Sequence, residues 1–518
     1  MLEKIRSRLL KEFAPRQTNT QSGQSRKLSA SLLDNLVYFR QEFDGSVDLT
    51  IREMDVAGTA GAVITIEGMI NKQIFATSVT NPILQADYGD MDDREKFAYL
   101  RDSVLSSTEQ VQVVTFEEAF TLAMSGFALI ALDGVDHMLA IGVQGFSFRG
   151  VSEPTSEVMQ QGSREGFVEP LRINMTLIRR RMKNPQMKFE MMQVGNVTKT
   201  DICLCYLRDS VAPEMLRELR KRLHHVNLDT VLSAGYLTPY LEQKGDHSLF
   251  SSIGVSERPD TVCGKIAEGR VAILVDGVPN VLIVPYLFVE YFQNMDDYST
   301  RPYYATFLRW LKYIAFIVAT LLPGIYVAVG TFNPEMFPDE LLNKIAAAIA
   351  STPFSLMMEA LVIHFIYEIM REAGLRLPKP LGHAVSIVGA LVIGDTAISA
   401  GLIGATTLMV LALTAICSYV IPNLYEPIAI LRLAFIIVGG IMGMWGIMLL
   451  FSVVLVNLCA KENFKVPFTA PVSPFSFFGM RDVIIRAGWR TLSRRKNSVQ
   501  NMPGSHLGKE KDQWNKDK

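Results

Sequence analysis

Glu359, His364, Glu368, Arg371 and Glu372 sit inside an otherwise apolar stretch, Pro353–Glu372. At 100° per residue the last four fall within a sector of about 100°, with Val362, Ile363, Ile366 and Ile369 largely opposite and only Leu361 intruding. A membrane helix with one ionisable stripe turns it to a bundle interior or an aqueous path, so this stripe is a candidate lining for ion passage. The competing reading lays the segment in an interface with its polar face in water. Asp395, after Gly394 in apolar surroundings, is either a carboxylate facing a water-filled path or a cap at a helix break. These six ionisable residues form the candidate ion pathway.

A second set lies in charged turns. Arg164-Glu165 and Glu257-Arg258-Pro259-Asp260 either contact a ligand, a partner or another domain, or cap helices and tie loops. Arg179-Arg180-Arg181 either touches anionic lipid or is a solvated helix end. No phosphate-binding loop, dinucleotide fingerprint, nucleophile elbow or His-Glu-x-x-His helix occurs, so the expectation is no enzyme and no cofactor. His224-His225 follows a basic helix, Pro213–Leu223, as part of a solvated face. The five cysteines show neither a paired framework nor metal-ligand spacing and suit a reducing compartment.

These residues need a frame, and the composition supplies one. The 518 residues are 49% hydrophobic and 20% charged, with mean hydropathy +0.20. Residues 1–302 carry 32 basic and 39 acidic groups, residues 303–460 carry 7 and 8, and residues 461–518 carry 12 and 5. Nucleic-acid binding by a basic core is excluded. Tyr313–Phe332, Thr396–Tyr425 and Leu433–Ala460 contain no charge, and each is long enough to cross a bilayer as a helix. The N-terminus has no signal-peptide core. The acidic loop Asn333–Glu340 fits the outer side and the basic tail the inner one, so the number of crossings is even. Four are expected, near 313–332, 353–370, 404–421 and 431–459, with 383–402 re-entrant. Six follow instead if the last run bends at Gly439-Gly440.

The polar residues 1–30 lack apolar surface for a fold. Beyond them, Gly126–Gly142 aligns without gaps on Gly269–Pro285 at a constant offset of 143, sharing Asp133-Gly134-Val135 with Asp276-Gly277-Val278. Each copy reads as strand, tight Asp-Gly turn and strand, following a helical stretch (Phe116–Ser125 and Asp260–Glu268). The expected frame is a multi-pass α-helical membrane protein with a large N-terminal cytoplasmic region of two tandem α/β subdomains, 31–150 and 151–302. A membrane domain, 303–460, and a basic cytoplasmic tail, 461–518, follow.

Ordered blocks carry a family resemblance. They are Ser152-Glu-Pro-Thr155, Gly162-Ser-Arg-Glu-Gly166-Phe with Asn174 and Leu177-Ile-Arg-Arg-Arg181, Glu257-Arg-Pro-Asp260, Glu268-Gly-Arg-Val-Ala-Ile-Leu-Val-Asp276-Gly, Glu359-Ala-Leu, Arg371-Glu-Ala-Gly-Leu-Arg-Leu-Pro378 and Ser386-Ile-Val-Gly-Ala-Leu-Val-Ile-Gly394. From about residue 115 to the tail the chain resembles the A subunits of GerA-type spore germinant receptors, membrane proteins of endospore-forming bacteria. His383, where the family often has Gln, and Ser163, where Pro is common, depart from the pattern. The resemblance implies a transporter-like B subunit and a lipoprotein C subunit as partners. It also implies self-association, as a ring of five, into a nutrient-gated cation pore in the spore inner membrane. The alternative is a membrane scaffold or accessory paralogue that organises receptors without a pore.

The tail contains Met480–Arg495, where Val483, Ile484, Trp489 and Leu492 interleave with five arginines. One reading is a helix on anionic membrane lipid. The other docks it on the soluble region, whose net charge is opposite.

Overall fold

The computed structural model describes residues 26–507 except 90, 106–108, 146–153, 155–156, 158, 160, 244, 247, 378–393 and 493–497. Helix α1 (Leu32–Phe43) precedes strands β1 (Leu49–Val56), β2 (Thr59–Ile66) and β3 (Gln110–Val113). Helix α2 (Phe116–Ala123), β4 (Phe127–Leu132) and β5 (Met138–Gly142) complete this unit. The same succession returns as α3 (Leu171–Arg181), β6 (Met187–Val194), β7 (Thr200–Leu207), α4 (Pro213–His224), β8 (Gly254–Ser256), α5 (Pro259–Ala267), β9 (Val271–Val275) and β10 (Val281–Val284). Both sheets are antiparallel throughout, ordered β1-β2-β4-β5-β3 and β6-β7-β9-β10-β8. The aligned hairpins keep one register, Ile130 facing Leu139 and Ile273 facing Leu282. Their turns need glycine, because Gly134 and Gly277 stand at φ +79° and +80°. Every residue of β4 and β9 is buried, since apolar clusters cover both faces of each sheet.

The likeness extends beyond the aligned stretch. Asp133 accepts the Leu32 N–H at 2.9 Å, and Asp276 the Leu171 N–H at 3.0 Å, so each turn aspartate caps the first helix of its unit. Asn35 bonds both backbone groups of Ser29, as Asn174 does those of Val168.

The apolar half is helical. α6 (Pro302–Phe332) begins eleven residues before the uncharged run and carries Arg309 and Lys312. α7 (Asp339–Ser351) opens in the acidic stretch that reads as a loop from sequence. α8 (Leu356–Arg376), α9 (Ala405–Tyr419) and α10 (Tyr425–Ala460) follow. Among the described residues two helices are long and apolar enough to cross a membrane, Pro302–Phe332 and Pro422–Ala460. The backbones of α6 and α10 touch: a Cβ on Gly439 would lie 2.6 Å from the Gly324 carbonyl oxygen.

The single span expected over 431–459 is not straight. Gly443 has φ +61° and ψ −150°, a conformation open essentially to glycine alone. The chain doubles back there, because a Cβ on Gly446 would lie 2.6 Å from the Val438 side chain. A straight helix of this length would hold its ends about 54 Å apart. Instead residues near both ends, Ile428 and Leu458, pack into one apolar cluster with Phe292. The bend falls at Gly443, not at Gly439-Gly440.

Candidate functional site

The ionisable stripe of α8 divides. Glu359 and His364 are buried, Glu368 and Arg371 are partly buried, and Glu372 is exposed and paired with Arg376 at 2.6 Å. Glu359 Oε2 accepts Thr407 Oγ1 at 2.9 Å and the Gly404 N–H at 3.3 Å, while its Oε1 has no partner among the described residues. Tyr326 reaches Thr406 at 3.0 Å and Thr407 at 3.2 Å, which continues this hydroxyl chain to α6. Glu368 accepts the Tyr425 hydroxyl at 2.7–2.8 Å, and Arg371 stacks 3.2 Å from the centre of the Tyr425 ring. His364 Nδ1 has no hydrogen-bond partner among the described residues and stands 3.9 Å from Glu368. The apolar side divides as well: Ile363 is buried, whereas Phe365 and Ile369 share the exposed face. Asp395 lies in the short helix Gly394–Ser399, and its side chain falls outside the described residues.

Arg432, which sequence reasoning passed over, completes the cluster. It is 1% exposed, donates to Ala319 O at 3.1 Å and to Ser418 Oγ, and faces the Tyr367 ring. Its only signal was a lone cation between two uncharged runs. Burial among neutral acceptors leaves a guanidinium with no carboxylate at salt-bridge distance among the described residues, an arrangement that costs stability unless it serves a purpose.

A second cluster joins the two halves. Arg309 is 0% exposed and binds Asp297 Oδ2 at 2.9 Å and Asp482 Oδ1 at 2.8 Å. Lys312 reaches Asp297 at 3.4 Å, and the Tyr298 hydroxyl donates to Asp482 at 2.7 Å. Burial, then Asp482, push the Tyr298 hydroxyl up. Nearby, Glu290 takes Arg270 and Lys265 at 2.5 Å each. Burial alone would raise its carboxyl, but those two cations hold it below the ordinary range.

The charged turns tie the soluble half together. Arg258 is 3% exposed and binds Asp260 at 2.7 Å, Ser163 O at 2.7 Å and Glu157 O at 3.2 Å. Glu165 pairs with Arg180 at 2.5 Å and Arg181 at 2.6 Å, which outweigh burial and hold its carboxyl low. The Glu257 carbonyl accepts the Phe167 N–H at 2.8 Å, and Arg164 is exposed. Arg179 corrects both readings of the arginine run. It is buried against Asp48 of the first unit at 2.7 Å, so it touches neither lipid nor water. The tail is corrected too: Gly479–Asp482 and Trp489–Leu492 are short turns, not one amphipathic helix. Gly488 and the pull of Asp482 toward Arg309 explain the break. Among the described residues no group of three His, Cys, Asp or Glu could hold a metal.

Comparison with known proteins matches residues 37–498 to the model of the Bacillus/Clostridium GerA spore germination protein. Spore germination protein KA of Bacillus subtilis (strain 168) is 37% identical over 93% of this chain and 89% of its own. The uncharacterized membrane protein YfkQ of the same organism is 34% identical over 95% and 96%. Among solved structures, the N-terminal domain of the A subunit of the Bacillus megaterium spore germinant receptor GerK3 covers 51% of this chain and 99% of that one. Its identity is 27% and its TM-score 0.41.

Proposed function

Because this chain belongs to the Bacillus/Clostridium GerA spore germination protein family, we propose that it is the A subunit of a nutrient-sensing germinant receptor and transduces germinant binding into ion release. The match through soluble half, apolar half and tail carries this reading. A B subunit of transporter type, a C-subunit lipoprotein and further copies of this chain are its proposed partners, in the spore inner membrane.

The apolar half then crosses the bilayer an even number of times, with both termini on the cytoplasmic side. α6 leads away from the soluble half. α8 returns, since Leu356 lies beside Gly330 and Glu368 beside Tyr425. Gly404 stands beside Glu359 at the far end, and most of the segment 383–402, read from sequence as re-entrant, lies outside the described residues. α9 and the two arms of α10 supply the rest. Transduction requires that bound nutrient interact differently with closed and open states. The Arg309 cluster offers a rigid link between halves, and the Glu359–His364–Glu368–Arg432 cluster offers polar groups free to re-pair.

One observation favours the alternative, an accessory scaffold without a pore. Glu359, His364 and Arg432 point into their own bundle, so this set lines no outward path. Potassium release decides between them. Spores lacking this chain should release less potassium when challenged with a panel of amino acids, sugars and nucleosides, and purified complexes should conduct potassium in bilayers. Absent conductance from well-folded complexes, with receptor clustering lost in the deletion strain, establishes the scaffold.

A further inference from the structure

The tail folds back as a strap that buries Val483 and Arg486 and carries large apolar side chains on its outer side. Lys461 pairs with Asp246 at 2.5 Å, and Val499 N reaches Glu268 O at 3.0 Å. Between these ends, residues 482–487 lie along the first turns of α6. Arg309 Nη1 donates to Asp482 O at 2.6 Å, Trp310 Nε1 to Ile484 O at 3.0 Å, and Arg486 N to Thr306 Oγ1 at 3.1 Å. Val483 and Arg486 face inward, at 3% and 1% exposed. The outward side chains are Ile485 at 57%, Phe475 at 63% and Phe477 at 70%, with Ile484 and Trp489 also exposed. The two phenylalanine rings lie 5.7 Å apart and bury little else.

A soluble surface does not normally turn charge inward and aromatic rings outward over such a stretch. The neighbouring surface explains the inversion. Tyr303, Tyr304, Phe307 and Trp310 on the first turns of α6 are likewise exposed, and that face continues without a break into Ile314 and Ile317 of the apolar run. Aromatic side chains gather where helices leave a bilayer, with one end apolar and the other wet. Exposed Arg490 follows directly, suited to an anionic headgroup.

We propose that residues 472–489 form a membrane-interface collar: the strap is clamped to α6 by its polar side and inserts its apolar side into the cytoplasmic leaflet. This rests on the membrane reading above. The lipid is favoured over a second copy because the exposed face is continuous with the spanning helix. The collar gives the soluble half two attachments at one depth, α6 and the tail, so the half cannot pivot about α6 alone.

Spin labels on the full chain in nanodiscs of mixed phosphatidylglycerol and phosphatidylcholine test this. Cys263, Cys417 and Cys459 are first changed to Ser, and labels are placed singly by Phe477→Cys, Ile485→Cys, Ile317→Cys and Leu232→Cys, all at exposed positions. Labels at 477 and 485 should collide with oxygen as the 317 label does, while the 232 label collides with an aqueous nickel chelate. Nickel access at 477 and 485 with oxygen access at 317 overturns the collar and leaves the membrane reading intact. Protection from both reagents at 477 and 485 means protein covers the strap and also overturns it. Nickel access at 317 overturns the membrane reading itself.

Discussion

The molecule holds two buried charge clusters that differ in how completely they are satisfied. At the junction, Asp297 and Asp482 share Arg309, Lys312 and Tyr298, so both carboxylates are paired. In the bundle, Glu359 Oε1 and His364 Nδ1 lack partners among the described residues and Arg432 rests on a carbonyl and a hydroxyl. The contrast is one of degree, since Arg309 also leaves one nitrogen unmatched. A well-satisfied buried network rigidifies what it joins, and a partly satisfied one has alternative pairings of similar energy. The junction therefore transmits and the bundle rearranges.

Breaking the junction should have the largest effect. Arg309→Met leaves two carboxylates facing each other beside Lys312, a loss of roughly 3–5 kcal/mol, the cost of an uncompensated buried charge. Thermal unfolding in nanodiscs should drop accordingly, and the soluble half should become protease-sensitive at residues 299–302. Asp482→Asn should cost less, because its side chain is 14% exposed and water offsets part of the loss. Equal midpoints for Arg309→Met and the unaltered protein would falsify the clamp.

The bundle should respond in the opposite proportion. Tyr425→Phe removes the hydroxyl donated to Glu368, a loss of about 1–3 kcal/mol. Its effect on potassium release should exceed what that loss explains. A release rate that simply follows stability, on one line with Asp482→Asn, removes the distinction between the clusters.

Acid gives a third handle, at the soluble side of the junction. Glu290 is held below its ordinary value of 4.5. The folded state therefore binds fewer protons than the unfolded one, and the pair contributes full stability above that pH. The contribution disappears as pH falls through the depressed folded value. Glu290→Gln should flatten the acid limb of the unfolding midpoint below pH 4.5, and an unchanged limb places the acid sensitivity elsewhere.

How much was legible follows from where the determinants lie. The hairpins at Asp133-Gly134 and Asp276-Gly277 could be read because each is a local pattern kept at one offset. The Asn35 and Asn174 locks could not, since they stand 139 apart, not 143, and loops of different length break the alignment. The bend was legible as a possibility but not as a position: Gly439, Gly440, Gly443 and Gly446 share one apolar run, and only packing against Phe332 and Val438 selects Gly443. The stripe divided because Thr407 and Tyr425, distant in sequence, choose which α8 residues turn inward. Arg486 is buried against Tyr298 and α6, both far from it in sequence.

The smallest effect should come from the outer face of α8. Phe365 and Ile369 are one turn apart and exposed at 54% and 67%, so in a single copy they touch little beyond each other. Ile369→Val should shift the unfolding midpoint by no more than about 0.5 kcal/mol, the usual range for surface changes. The informative measurement is the same substitution in the assembled complex. If the bundle cluster alone rearranges, Ile369→Val and Phe365→Leu leave potassium release unchanged there too. If release changes while the isolated subunit keeps its stability, a neighbouring copy covers this face in the assembly. In that outcome the moving element extends from the buried Glu368–Tyr425 pair through α8 to its outer surface, and the two clusters no longer divide transmission from rearrangement so cleanly.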